Sequence, residues 1–175
     1  MNYFFTSDTE FGHKNIIEYT NRPFSSMEEM DETLIERWNE IVKPKDRVYH
    51  LGDFCYGSFF KYFNKLNGSI HFVRGNHDRF PFEVPFLLEV YIPNLMDEID
   101  PSRKKLIVLS HYSMRSWNLS HYGSWHLFGH HHGQINSYGL SFDVGVDTNN
   151  YYPYSLDQVI ERMKELKPIV DFRRK

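Results

Sequence analysis

Asp8, Glu10 and His13 put two carboxylates and an imidazole into six residues, directly after the apolar run Asn2-Tyr3-Phe4-Phe5, which reads as a β-strand. On its own this stretch has two readings: an ion-binding strand end, or a polar turn in which Asp8 caps the following helix. The same grammar recurs four more times. Gly52-Asp53 follows an apolar run at 47–51, Gly75-Asn76-His77-Asp78 follows 70–73, Ser110-His111 follows 105–109, and Gly129-His130-His131-His132 follows 125–128. Each piece alone is weak, because a Gly-Asp pair is commonly a turn and Asn-His-Asp commonly caps a helix. Five in succession, each closing a strand, form a specific pattern. Carboxylate, amide oxygen and imidazole suit borderline to hard divalent ions such as Mn, Fe, Co, Ni or Zn, and the single Cys55 excludes a thiolate cluster.

The elements that must position these residues are legible in outline. Ser26, with Glu29 three residues on, starts a helical pattern in which Met27, Met30, Leu34, Trp38 and Ile41 share a face. A short helix or turn is expected at 15–19, and an aromatic helix at 59–66 stopped by Asn67-Gly68. Residues 80–100 are the least regular and read as a loop with strands near 90–92 and 96–99. A polar, aromatic loop is expected at 113–123 and a strand at 140–146 ending near Asp147. Ser155 and Gln158 frame a last helix whose face is Leu156, Val159, Ile160, Met163 and Leu166. Strands alternating with helices, then strands in succession, argue for a layered α/β domain. Ligands of such folds gather at the carboxyl edge of the strands, so the five strand ends are expected to converge.

The composition narrows the function classes. The 175 residues are expected to form one domain, 1–175, and 41% hydrophobic and 17% aromatic content is that of a packed core rather than a disordered chain. A net charge of -3 gives no general attraction to nucleic acid or membrane. No stretch of 18 apolar residues occurs, and one cysteine allows no intrachain disulfide, so a soluble cytoplasmic protein in a reducing compartment is expected. The ten histidines are about twice the usual share for this length. Of these, His50 and His71 lie inside strands and read as structural. Cys55 reads as packed, Asp147 and Asn149 as supporting or loop-capping residues, and the terminal Arg173, Arg174 and Lys175 as a solvated tail.

In this order the motifs resemble those of the calcineurin-like metallophosphoesterases: Asp-x-His, Gly-Asp, Gly-Asn-His-Asp or Glu, a histidine, then Gly-His-x-His. The resemblance extends from about Asn2 to Ile160 and is to small bacterial and phage members. It implies a calcineurin-like layered sandwich of mixed β-sheets flanked by helices. It also implies two divalent metal ions, Mn foremost with Fe, Ni, Co or Zn as alternatives. Asp8 and His132 would hold the first ion, Asn76, His111 and His130 the second, and Asp53 would bridge ions about 3.5–4 Å apart that share a hydroxide nucleophile. His77 would protonate the leaving oxygen or stabilise its charge, with Asp78 orienting the ring. Arg74 is a phosphate contact or a salt-bridge partner.

Glu10 departs from the pattern, standing where the family has a histidine. Glutamate binds the same ions through oxygen, and it lowers the formal charge of two ions, three carboxylates and a hydroxide from +1 to zero. The lower charge is expected to favour a diester monoanion over a monoester dianion, and harder metals such as Mn. His13 is either a substitute ligand or a residue bonded to backbone or substrate phosphate. The expected activity is metal-dependent hydrolysis of a small phosphodiester. The alternatives are a non-catalytic binding module with a weakened first metal site, and a nuclease. No membrane partner is expected, and nucleic acid is not indicated unless Lys43, Lys45, Arg47, Arg103, Lys104 and Lys105 gather into a patch. Tyr56, Phe59, Trp117, Trp125 and Tyr151 are candidate base-stacking walls. A monomer or small homo-oligomer is expected, with Tyr151-Tyr152-Pro153-Tyr154 either a subunit contact or a packed loop.

Overall fold

A computed structural model describes residues 1–97 and 101–169. Three parallel strands, β1 (Tyr3–Thr6), β2 (Arg47–His50) and β3 (Ser69–Phe72), form one sheet in register Tyr3–Arg47 and Arg47–Ser69. A second sheet has the order β4 (Leu87–Met96), β5 (Lys104–Ser110), β6 (Trp125–Phe128), β7 (Ser141–Asp143), with β5 to β7 parallel and β4 antiparallel at the edge. The two-residue β8 (Tyr154–Ser155) pairs antiparallel with β1 and completes the first sheet as β3-β2-β1-β8.

Side-chain alternation decides how the layers stack. In β1, Tyr3 and Phe5 face inward with Tyr49 and Leu51, and meet Ile107, Leu109, Trp125, Leu127 and Phe142 of the second sheet. Phe4 and Val48 face the other way, against Trp38 and Val42 at the end of the helix Met27–Ile41. That helix follows α1 (Ile16–Tyr19) and is α2; α3 (Phe59–Phe63) and α4 (Leu156–Lys164) complete the set. The result is the expected α/β sandwich of two mixed sheets. Its two sets of parallel strands end at one edge, where a bridge joins Ser7 to Gly145.

The helix starts follow the cap chemistry in part. Ser155 and Gln158 form a complete capping box, and Val159 and Met163 of α4 enter the inter-sheet core. Ser26 accepts the Glu29 N–H, but the Glu29 carboxylate turns to the N–H and hydroxyl of Ser25, one residue earlier than a capping box requires. Within the stretch read as a loop and two short strands there is one ten-residue strand, β4. Its register breaks between Tyr91 and Met96, where Pro93 lacks an N–H to give the ladder, and its exposed edge position hides the strand pattern. Ile99 of the second expected strand, and the basic cluster Arg173, Arg174 and Lys175, lie outside the described residues. The strand expected at 140–146 stops at Asp143, because the Asp143 carboxylate takes the Gly145 N–H and Val146–Thr148 turns into a 3-10 helix.

One surface expectation changes. Lys105 is fully buried, bonding the Gly123 carbonyl and pairing with Asp97, so it belongs to no basic patch. The tyrosine-rich turn is a packed loop: Tyr152 donates to Glu40, and Tyr154 donates to the Thr148 carbonyl. Among the described residues no helix is long and apolar enough to cross a membrane.

Trp38 carries the contact between α2 and the first sheet, with its indole N–H on the Asn67 carbonyl at 2.9 Å. Trp38→Ala removes the packing and strands that carbonyl, and is expected to cost about 3–5 kcal/mol, read as a lower urea midpoint at unchanged slope.

Candidate metal centre

The residues after each strand leave the extended conformation abruptly. Asp8 (φ 56°), Glu10 (53°), Asp53 (53°), His130 (70°) and His132 (49°) all adopt the left-handed region that non-glycine residues avoid. Such kinks cost on the order of 1 kcal/mol each and persist where the surroundings over-determine them. Here they turn side chains off the sheet edge toward a common point. The Asp8 N–H donates to the Gly52 carbonyl and the Glu10 N–H to the Asp53 carbonyl, while buried Arg22 donates to the Asp8 and Thr9 carbonyls. The glycines explain themselves at two places: a Cβ on Gly75 would overlap Asp53, and one on Gly129 would overlap Ser7 and Asp8.

Two ligand groups result, and they share a residue. Asp53, His111 and His130 bring one donor atom each within 4.8 Å of one another, as do Glu10, Asp53 and His77. Asn76 Oδ1 lies 2.9 Å, and Asp53 Oδ2 3.3 Å, from His111 Nε2. His111 donates its Nδ1–H to the Leu51 carbonyl at 2.8 Å, so Nε2 faces two oxygens. With Asn76 Oδ1 and Asp53 Oδ2 both toward Nε2, a cation, a proton or a metal, reconciles that geometry, which is the test these residues pass as a metal site. His132 likewise donates Nδ1–H to Asp147 at 2.7 Å, leaving Nε2 for a ligand, and Asp147 is held by two Arg22 bonds of 2.8 Å. Histidines oriented by a carbonyl or carboxylate in this way are the usual support of metal ligands.

Asp8 is fully buried, and its carboxylate accepts the His130 N–H at 2.9 and 3.1 Å. His132 lines the same cleft as Glu10, Asp53, His77 and His130. His13 lines it too and, like Asp8 and His132, falls outside both ligand groups; it donates Nδ1–H to Glu10 Oε2 at 2.9 Å and supports that carboxylate. Two expected roles are corrected. Asp78 does not orient the His77 ring, because its carboxylate accepts the N–H groups of Asp53, Phe54 and Gly75; the group on His77 Nδ1 is the Tyr56 hydroxyl, at 3.0 Å. Arg74 packs its guanidinium on the Phe86 ring and lines neither groove beside His77, whereas Arg79 lines one of them.

Arg22 is the functional residue that sequence reasoning passed over. Its only local signal is its place before Pro23, which ends the short helical stretch at 15–19. The other histidines and aromatics sort by burial. His50 donates Nε2–H to Thr9, His126 bonds Ser110, and burial pushes them down to about 3 and about 4, so both are uncharged core residues. Phe59, Trp117 and Trp125 are core, while Tyr56 is exposed on the cleft. Burial pushes the Cys55 thiol up to about 12, which leaves it protonated and packed.

Along its length the chain is similar to the uncharacterized protein MJ1445 of Methanocaldococcus jannaschii, at 37% identity over 182 aligned positions, 93% of this chain and 92% of that protein. Over 83 residues it is 36% identical to the Gene 66 protein of Mycobacterium phage L5, 44% of this chain and 40% of that one. The solved structure of AQ665, a protein of unknown function from Aquifex aeolicus, superposes with a TM-score of 0.69 at 23% identity, covering 92% of this chain and 98% of that one, and so shares the fold. No family model matches the chain.

Without a cation the cluster is electrostatically frustrated. Burial, with Asp143 and Asp53 nearby, pushes Asp8 up to about 7 against the pull of His132 and His111. Burial and the charges of Asp53 and Asp8 push Glu10 up to about 8. Burial lowers His111, but the Asp53 hydrogen bond and the Asp8 charge outweigh it and hold the ring up at about 9. Above the ordinary histidine value of 6.5, the metal-free fold therefore keeps protons that the unfolded chain has released. Its stability falls as pH rises from 6.5 to about 9. His50 and His126, neutral in the fold but half protonated at 6.5 in the unfolded chain, oppose the trend only at the lower end of that range. In EDTA the melting temperature is expected to drop across this window, and saturating Mn is expected to abolish the drop with release of protons on binding. A flat profile in EDTA would contradict the frustrated cluster.

Proposed function

We propose, from the premise that the chain belongs to the calcineurin-like metallophosphoesterases, that it hydrolyses small phosphodiesters with two divalent metal ions. The observation that carries the proposal is Asp53, the one carboxylate common to both ligand groups. Asn76, His111 and His130 would complete one site with it; Glu10 of the second group would form the other with Asp8 and His132, which lie outside both groups, and His77 would stay off the metal. Divalent ions bound there supply Lewis acidity toward the phosphoryl oxygens and a hydroxide nucleophile near neutral pH. Manganese suits a set this rich in oxygen donors.

The chain's own groups account for the rest. The Asp53 backbone is pinned by Asp78 while its carboxylate takes the His77 N–H at 3.0 Å, so the shared ligand cannot swing away. His77 faces the cleft beside it and is placed to stabilise charge on the departing oxygen. The cleft is open, about 530 Å³, and has no lysine or arginine along its lining. A phosphomonoester dianion would meet Glu10 and Asp53 with only Arg79, in the adjoining groove at His77, to offset it, whereas a diester carries one charge less. That supports the diester preference. The nuclease alternative has lost Lys105 from its basic patch and gains no support.

The test is turnover of bis-(4-nitrophenyl) phosphate and 4-nitrophenyl phosphate by Mn-loaded protein. Wild type is expected to prefer the diester, and Asp53→Asn to lose at least about 100-fold in kcat. Glu10→His, which adds one unit of positive charge, is expected to shift the preference toward the monoester. An unchanged preference would overturn the charge argument, and full metal loading without turnover would assign the fold to a binding module instead.

A further inference from the structure

We infer that the Tyr56 hydroxyl, rather than a carboxylate, fixes the tautomer and direction of the His77 ring, so that Nε2–H of His77 points at the leaving-group oxygen. The inference rests on the proposed phosphodiesterase reading. It starts from the hydrogen bond between Tyr56 and His77 Nδ1, 3.0 Å long. The neighbouring carboxylate that would usually serve, Asp78, bonds three backbone N–H groups instead of the ring.

The tyrosine is itself held. Its ring stacks on His13 with centroids 4.1 Å apart and planes 24° from parallel, and His13 is tied to Glu10 at 2.9 Å. The positioning thus runs from Glu10 through His13 and Tyr56 to His77. A phenol keeps its proton at neutral pH and can donate it to Nδ1. Donation to Nδ1 leaves the hydrogen of a neutral imidazole on Nε2. With Nδ1 occupied, Nε2 is the nitrogen left for the cleft that His77 shares with Asp53 and Glu10.

A phenol in this place orients the ring without adding negative charge next to three carboxylates. No bond to Tyr56 or His77 forms or breaks. As the phosphorus–oxygen bond of the leaving group breaks, its electron pair stays on the departing oxygen, and Nε2–H hydrogen-bonds that oxygen. The bond matters most for leaving groups that carry the most charge, the basic alcohols.

Tyr56→Phe keeps the stack on His13 and deletes only the hydroxyl. Against aryl methyl phosphate diesters of graded leaving-group basicity, its kcat is expected to fall about tenfold for phenol and about threefold or less for 4-nitrophenol, with KM and bound metal unchanged. An equal loss across the series, or no loss, would overturn the inference. A second readout needs neither metal nor turnover: long-range 15N–1H correlation of labelled histidine in the metal-free protein. Wild-type His77 is expected as the Nε2–H tautomer and Tyr56→Phe as a mixture; an Nδ1–H tautomer in wild type would overturn the assignment even if the variant folds poorly. If wild type turns over no ester while this tautomer is found, the phosphodiesterase reading fails and the Tyr56–His77 geometry stands.

Discussion

The structure depends on where Asp53 sits. Its backbone is left-handed, its N–H is held by Asp78, and its carboxylate meets the His77 N–H and His111 Nε2. Gly75 must be a glycine because a side chain there would occupy the space of that carboxylate. Two loops after parallel strands are therefore locked together around one acid. The left-handed turn at the end of β2 is strained in isolation and is stabilised by what it holds in place.

Around that acid the protein concentrates negative charge in a buried place. Asp8, Glu10 and Asp53 are each at most 3% exposed. Arg22 answers this charge indirectly: it bonds Asp147, which in turn orients His132, and it ties down the carbonyls of Asp8 and Thr9. One guanidinium thus joins the loop after β1 to the turn after β7. Removing a partner from such a buried network generally costs more than the network contributes, since the remaining charge is left without solvent. The arrangement suits a rigid site that awaits cations rather than one that forms around them.

Much of this was legible in the sequence, and the rest was hidden for physical reasons. The capped helices and the buried strands β1, β2, β5 and β6 announce themselves by pattern, because burial on both faces demands apolar runs. The candidate ligand residues were visible because each follows such a run. β8 was not, since two residues carry no period, and β4 was legible only as fragments near 90–92 and 96, since an exposed edge strand with Pro93 has no clean alternation. The roles of Arg22 and Tyr56 depend on partners more than a hundred residues away for Arg22 and 21 for Tyr56, and no local pattern encodes such pairs. Asp78 misleads because its spacing suits the His77 ring, while the loop geometry gives it three better donors in the backbone.

The central claim is that Asp53 joins two cation sites, and its most direct test is low-temperature electron paramagnetic resonance of protein titrated with Mn. The account predicts that loading toward two ions per chain replaces the hyperfine pattern of isolated Mn with the signal of an exchange-coupled pair, and that Asp53→Asn abolishes the coupling. Isolated-ion spectra at every loading, or a coupled signal that survives Asp53→Asn, would contradict it.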